Sequence, residues 1–246
     1  MMLKHKNILI TGAGKGIGES TVKKIIENDG YAYIIIKNKK DNKKFSGFKN
    51  IKIYNGNVNN KKLIQRIFKD SVRNRRPINC VVNNAGVRFR KKFLNIKENE
   101  LNKVFNVNFY SIFYIMQVFS KFIIKNKIKG TLINISSIVG QLGFSDLSGY
   151  ASSKGALTAL TKSYAAEMSN FGIRANTISP GFVKTSFFKK FKTKRKELYK
   201  WTLSRIPQKR WGEPEEIAEL VCFVLSDKCS YLNGESISID GGWTNV

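Results

Sequence analysis

The chain is poor in the residues that bind metals, form staples or break helices. Among 246 residues there are three cysteines, one histidine and four prolines. Cys80, Cys222 and Cys229 show no C-x-x-C spacing, and a single histidine cannot complete a Cys/His zinc site of the usual kind, so no metal is expected. The three thiols read as reduced core or surface residues. That histidine, His5, precedes the first apolar run, which argues against a Ser-His-Asp hydrolase built around it. With few prolines, no low-complexity linker and no repeat, nothing marks a boundary, and residues 1–246 are expected to form a single domain. No stretch approaches the roughly 20 uninterrupted apolar residues of a membrane-spanning helix. "MMLKHKNILITG" enters an apolar strand too early for a cleavable signal segment, so no membrane and a cytoplasmic location are expected.

Acid is scarce too: 17 Asp and Glu stand against 44 Lys and Arg, a formal charge of +27. Alone, that charge suggests a nucleic-acid or other acidic partner. Lysine here accompanies many Asn, Ile, Phe and Tyr residues, the set that A/T-rich codons favour, and no nucleic-acid-binding motif accompanies it. Compositional drift is the preferred explanation, and no nucleic acid is expected as a partner.

The chain does hold short apolar runs alternating with longer amphipathic ones. Strands are expected at Asn7 to Thr11, Tyr31 to Ile36, Ile51 to Asn55, Ile78 to Asn84, Gly130 to Ser136, Ile173 to Ser179 and Ser236 to Asp240. Helical patterns run over Ile17 to Glu27, Lys61 to Val72, Glu98 to Lys125, Tyr150 to Asn170 and Pro214 to Leu225. Such alternation predicts an α/β fold: a single-domain, Rossmann-like, doubly wound parallel sheet of about seven strands with helices on both faces. Its ligand crevice should lie beyond the carboxyl ends of the strands, where the strand order reverses.

After the first strand comes "TGAGKGIG", Thr11 to Gly18, whose glycines at 12, 16 and 18 permit a tight turn and close approach to a pyrophosphate at a helix N-terminus. The spacing is G-x-x-x-G-x-G rather than G-x-G-x-x-G. After the second strand stand Lys37, Asn38, Lys39 and Lys40, with the first acid, Asp41, coming late. A carboxylate there would suit the ribose of NAD; basic residues, with Lys15 from the glycine turn, suit the 2'-phosphate of NADP. NADP(H) is therefore favoured over NAD(H).

"GYASSKG" places Tyr150 and Lys154 four residues apart, but "YIIIK" at Tyr33 to Lys37 has the same spacing, so spacing alone decides nothing. Tyr33 sits inside a strand, whereas Tyr150 opens a helical segment in which i and i+4 share a face. A neighbouring ammonium is expected to lower the phenol toward working pH, so that Tyr150 can donate a proton to a carbonyl or remove one from an alcohol.

"TGAGKGIG", "NNAG" at Asn83 to Gly86, "ISS" at Ile135 to Ser137, "YASSK" at Tyr150 to Lys154 and "SPGFVKT" at Ser179 to Thr185 together resemble the short-chain dehydrogenase/reductase family over nearly the whole chain. The resemblance implies a catalytic set of Asn108, Ser137, Tyr150 and Lys154. Ser137 would polarise the substrate oxygen, with Ser136 as competitor, and Asn108 would keep a water behind the lysine. It implies cofactor contacts from Thr11, Gly12, Lys15, Gly16, Ile17, Gly18, Lys37, Asn57, Val58, Asn84, Ala85, Gly86, Pro180, Gly181, Val183 and Thr185, besides Tyr150 and Lys154. Asn57 stands where the family more often has aspartate.

Substrate is read by loops. "VRFRKKF" at Val87 to Phe93 and "SFFKKFKTKRKELYKW" at Ser186 to Trp201 are basic with interleaved aromatics, the latter within a substrate-covering segment at about 186–210. Within the family the overall look is nearest to 3-oxoacyl-acyl-carrier-protein reductases, whose acidic carrier a basic rim would attract. Phe171, where those reductases often have a basic docking residue, departs from the pattern. Sugar-acid or polyol dehydrogenases are the alternative, with Arg88 or Arg90 binding a substrate carboxylate. A non-catalytic nucleotide sensor is the remote third reading, opposed by the presence of Tyr150. Family members usually form homotetramers, and that is expected here.

Overall fold

The computed structural model describes residues 2–246; Met1 and, within the basic segment, the side chains of Phe187, Lys189 and Lys190 lie outside the described set. In chain order the main elements are β1 (Asn7–Thr11), α1 (Gly16–Glu27), β2 (Tyr31–Ile36), β3 (Ile51–Asn55), α2 (Lys61–Arg73), β4 (Cys80–Asn83), α3 (Glu98–Phe105), α4 (Ser111–Asn126), β5 (Gly130–Ile135), α5 (Ser148–Met168), β6 (Ile173–Pro180), α6 (Ser186–Lys194), α7 (Lys196–Arg205), α8 (Pro214–Leu225) and β7 (Ser236–Ile239). All seven strands are parallel, in the order β3-β2-β1-β4-β5-β6-β7. The expected doubly wound sheet is present, with small boundary shifts: β4 starts at Cys80 rather than Ile78, and β6 runs on through Pro180.

Both faces of the sheet are covered, and the alternation of side chains along each strand explains why the apolar runs are unbroken. Leu9, Tyr33, Ile35, Val81 and Leu132 pack toward α2, α4 and α5. Their neighbours Ile8, Ile10, Ile34, Val82 and Ile133 point the other way, against Val22 and Ile25 of α1 and Ile217 and Val221 of α8. β1 and β4 are adjacent although β2 and β3 intervene in sequence, so the chain reverses direction there and leaves a crevice at their carboxyl ends.

The helix over Glu98–Asn126 is, by length and composition, apolar enough to cross a bilayer. Its apolar stripe is used otherwise: Ile112, Ile115, Met116, Phe119 and Ile123 are buried against the sheet. One wide π turn, Asn106–Tyr110, interrupts it and turns Asn108 inward. The other departure from expectation is the segment 186–210, which forms two short helices, α6 and α7, over a separate small apolar cluster around Trp211 and Trp243.

Candidate active site

Strands β1 to β6 each deliver residues at or just beyond their carboxyl ends into one cleft of about 1160 Å³. At its floor, Gly12 and Gly16 have φ of +67° and +55°, where side chains strain the backbone. Gly12, Lys15, Gly16 and Ile17 line the cleft. Thr11 and Gly18 do not, contrary to their expected cofactor contact, because close packing puts them behind the wall. Thr11 Oγ1 accepts from the Asn84 and Ala85 amides at 3.1 and 3.0 Å, and a Cβ on Gly18 would come 2.4 Å from the Gly12 carbonyl oxygen. Asn84 Nδ2 in turn donates to the Thr11 and Gly12 carbonyls. These contacts pin the loops after β1 and β4 to each other.

Lys37, Asn57 and Val58 line the end of the cleft beyond β2 and β3. Lys39 and Lys40 do not line it. Sequence spacing made Asp41 appear too distant, yet a 3-10 turn over Lys39–Phe45 folds it back so that its carboxylate lies 3.0 Å from where a Cβ on Gly14 would sit. Lys44 offsets that charge: its ammonium lies 3.4 Å from Asp41, 2.9 Å from Glu19 and 2.7 Å from the Gly14 carbonyl. Asn84, Ala85, Gly86, Pro180, Gly181, Val183 and Thr185 complete the wall. Bare glycine backbone and ammonium groups on this wall fit a dinucleotide.

At the other end Ser137, Tyr150 and Lys154 meet. β5 ends at Ile135, and Ser136 and Ser137 then point to different sides. Ser136 is buried and its hydroxyl donates to the Lys154 carbonyl at 3.1 Å, a bond that secures α5; Ser137 faces the cleft, in hydrogen-bonding reach of the Tyr150 phenol. Lys154 is 3% exposed; its Nζ donates to the Ile135 carbonyl at 2.7 Å and lies 5.9 Å from the centre of the Tyr150 ring. Asn108 is fully buried and does not line the cleft. Its Oδ1 accepts from Val87 N–H at 2.8 Å, and its Nδ2 donates to the Val87 carbonyl and Ser153 Oγ, both at 3.0 Å. It thereby fixes the start of the loop that carries the two arginines.

The expected lowering of the Tyr150 phenol is not present. Burial pushes it above its ordinary value, and the nearby Arg88 guanidinium and Ser137 hydroxyl offset this only in part. Lys154 responds the other way: burial with no carboxylate beside it pushes the ammonium down to about 8. The ammonium steadies negative charge growing on Tyr150 only while protonated. Carbonyl reduction is therefore expected to fall as pH rises through about 8, with Lys154 rather than Tyr150 losing its proton first. The sign for stability is opposite: between about 8 and 10.5 the unfolded chain binds the extra proton, so this lysine's destabilising contribution is relieved as pH rises. A pH–rate profile in NADPH oxidation checks this, and a flat profile from roughly one pH unit below that value to one above it would sink the assignment.

Sequence reasoning placed the aromatic segment 186–201 over the substrate but missed that Phe144 and Leu147 join its Phe191, Leu198 and Trp201 in one apolar wall of the cleft. No local motif announces it, because its members come from the loop before α5 and from α6 and α7.

A parallel sheet with a glycine turn after β1 and a Tyr/Lys/Ser cluster after β5 defines a dinucleotide-dependent oxidoreductase. A family profile described as enoyl-(acyl carrier protein) reductase matches residues 12–244. The chain is 35% identical over 248 residues to 3-oxoacyl-[acyl-carrier-protein] reductase FabG of Thermotoga maritima, covering 98% of this chain and 99% of the relative. It resembles the solved structure of a candidate gluconate dehydrogenase of Agrobacterium tumefaciens at TM-score 0.93 and 27% identity, covering 100% of this chain and 98% of that one. ElxO with NADP bound gives TM-score 0.91 at 29% identity, each chain fully covered. 4-Hydroxyisoleucine dehydrogenase complexed with NADH gives TM-score 0.90 at 28% identity, covering 98% and 99%. The chain belongs to the short-chain dehydrogenase/reductase family, a dehydrogenase/reductase acting on CH–OH groups.

Proposed function

We propose that residues 1–246 act as one domain, an NADP(H)-dependent reductase of 3-oxoacyl groups held on an acyl carrier, with 186–210 covering the substrate. The observation that carries the reading is the junction of the Ser137 and Tyr150 hydroxyls with the apolar wall from α6 and α7: two donors for a ketone oxygen beside a surface that suits an acyl chain. The likeness to the Thermotoga maritima reductase over the full chain supports it. Lys15 and Lys37 on the cleft wall support NADP(H) over NAD(H), since Asp41 is already engaged by Lys44.

The bound nicotinamide would supply the hydride. In the reductive direction Ser137 and Tyr150 hold the carbonyl oxygen, and Tyr150 gives its proton to that oxygen as charge develops there. Lys154 steadies the phenolate left behind, and Asn108 positions the loop that closes this end. Exposed Tyr110 and Phe113 on the helix over Glu98–Asn126 offer an apolar face for pairing subunits into the expected homotetramer. Arg88 at the substrate end favours a second reading, oxidation or reduction of sugar or hydroxy acids, which the likeness to the candidate gluconate dehydrogenase also supports.

Oxidation of NADPH and NADH with acetoacetyl-carrier protein and with a panel of keto-sugar acids separates these. Turnover of the carrier substrate with NADPH is expected; turnover of keto-sugar acids alone would move the assignment to the second reading.

A further inference from the structure

Asp41 is the one carboxylate among the described residues that line the cleft, on a wall shared with Gly14, Lys15 and Lys37. The turn over Lys39–Phe45 is built to present it there. Asn38 starts the turn by accepting from the Lys40 N–H at 3.2 Å, the Asn42 and Asn55 side-chain amides bond each other at 2.9 Å across to β3, and Phe45 is buried in the core at the far end. A carboxylate on this wall suits the ribose hydroxyl of NAD(H) and repels the 2'-phosphate of NADP(H).

The two oxygens of Asp41 face different ways. Oδ2 is turned to Gly14, 3.0 Å from where a Cβ would sit, and Oδ1 lies 3.4 Å from Lys44 Nζ. The same ammonium donates to the Gly14 carbonyl at 2.7 Å and to Glu19 Oε2 at 2.9 Å, which ties the 3-10 turn to the glycine turn and to the first turn of α1. Lys23 meets the other Glu19 oxygen at 2.8 Å, so Glu19 does not claim Lys44 alone. Hydrogen bonding to Glu19 raises the Lys44 ammonium above its ordinary value against the opposing effect of burial, and its charge is therefore present throughout the working range. The charges of Glu19, Lys23, Asp41 and Lys44 balance. Removing Lys44 alone leaves one net negative charge beside the wall.

We propose that Lys44 is a specificity-determining residue of the dinucleotide site: it neutralises Asp41, so that a wall carrying a carboxylate still receives the 2'-phosphate of NADP(H), and without it the same wall favours the ribose hydroxyl of NAD(H). Lys44 acts through Asp41 and is not itself among the lining residues. The inference rests on the NADP(H) reading of this cleft and is independent of which carbonyl is reduced.

The test is fluorescence titration of NADPH and NADH, read as the ratio of Kd for NADH to Kd for NADPH. A change in the fold of the turn alters both constants, and the ratio isolates the phosphate. Lys44→Met should lower the ratio by about tenfold or more, the effect of one unanswered charge facing a phosphate. Adding Asp41→Asn should bring it back to within about threefold of wild type, because the carboxylate that Lys44 answered is gone. An unchanged ratio in Lys44→Met overturns the inference, and so does a lowered ratio that Asp41→Asn fails to restore, which would mean that Lys44 reaches the phosphate directly. Asp41→Asn alone keeps the test alive if Lys44→Met does not fold: its ratio should rise by less than about threefold, since the carboxylate is already answered, and a larger rise rejects the proposal. A wild type that binds NADH more tightly than NADPH would end the NADP(H) reading, while the change on Lys44→Met would still decide the role of Lys44. Binding of neither dinucleotide would overturn both.

Discussion

Tyr150→Phe should lower kcat for carbonyl reduction by about 10²- to 10⁴-fold, the range a positioned general acid contributes. The variant keeps the ring and removes one hydroxyl, so the cleft keeps its shape and dinucleotide affinity should hold. Ser137 stays in place, its Oγ still accepting from the Val139 amide at 3.3 Å, and can still donate to a carbonyl oxygen. What is lost is the proton delivered as charge grows on that oxygen. Burial raises the phenol above its ordinary value, which keeps the proton on Tyr150 through the working range and ready for reduction. NADPH oxidation at saturating substrate, paired with fluorescence titration of NADPH, measures both halves. Intact binding with activity within about tenfold of wild type would pass the donor role to Ser137 or to water.

The second large effect is expected at a residue that touches no substrate. Gly12→Ala places a methyl group 2.7 Å from the Ala85 Cα, at a φ of +67°. Left-handed strain and overpacking together cost about 3 kcal/mol, because the two nearest atoms, Ala85 Cα and N, are backbone and cannot move aside. For a chain of this size that lowers Tm by about 10 °C. The same methyl separates the loops that Asn84 and Thr11 pin together, so dinucleotide binding should weaken more than in Tyr150→Phe. Gly47→Ala is the control: no atom lies within 4 Å of its Cβ position, and the residue is exposed. It should change stability by no more than about 0.5 kcal/mol. Thermal unfolding and NADPH titration of both variants check this, and an unshifted Tm for Gly12→Ala would mean the loops have room the packing does not show.

The strands were the most legible part of the chain. Runs such as Ile8-Leu9-Ile10 and Ala32 to Ile36 are buried on both faces, and only a covered parallel sheet accommodates that. The cleft end of the site was legible for a related reason: four of the five family motifs lie at the end of a strand and the fifth, Tyr150 to Lys154, opens the helix after β5, so chain order predicted spatial meeting. Ser137 could be preferred over Ser136 only by the family's spacing; the structure separates them by direction, one toward α5 and one toward the cleft.

Three features were decided by tertiary contacts. Asp41 is late in sequence but near Gly14 in space, because a 3-10 turn reverses the chain between them. The phenol of Tyr150 is raised rather than lowered, since desolvation depends on everything packed around the ring and not on the lysine four residues away. Arg90 meets the Asp146 carboxylate at 3.9 Å, although the two residues lie far apart in sequence, on the loop after β4 and the loop before α5. Sequence by itself determined the sheet, its crevice and many of the motif residues that line it, because apolar periodicity and strand-end position are local properties of the chain. Burial, charge balance and the direction of each side chain were decided only by the folded protein, because they are sums over neighbours that the chain brings together from distant positions.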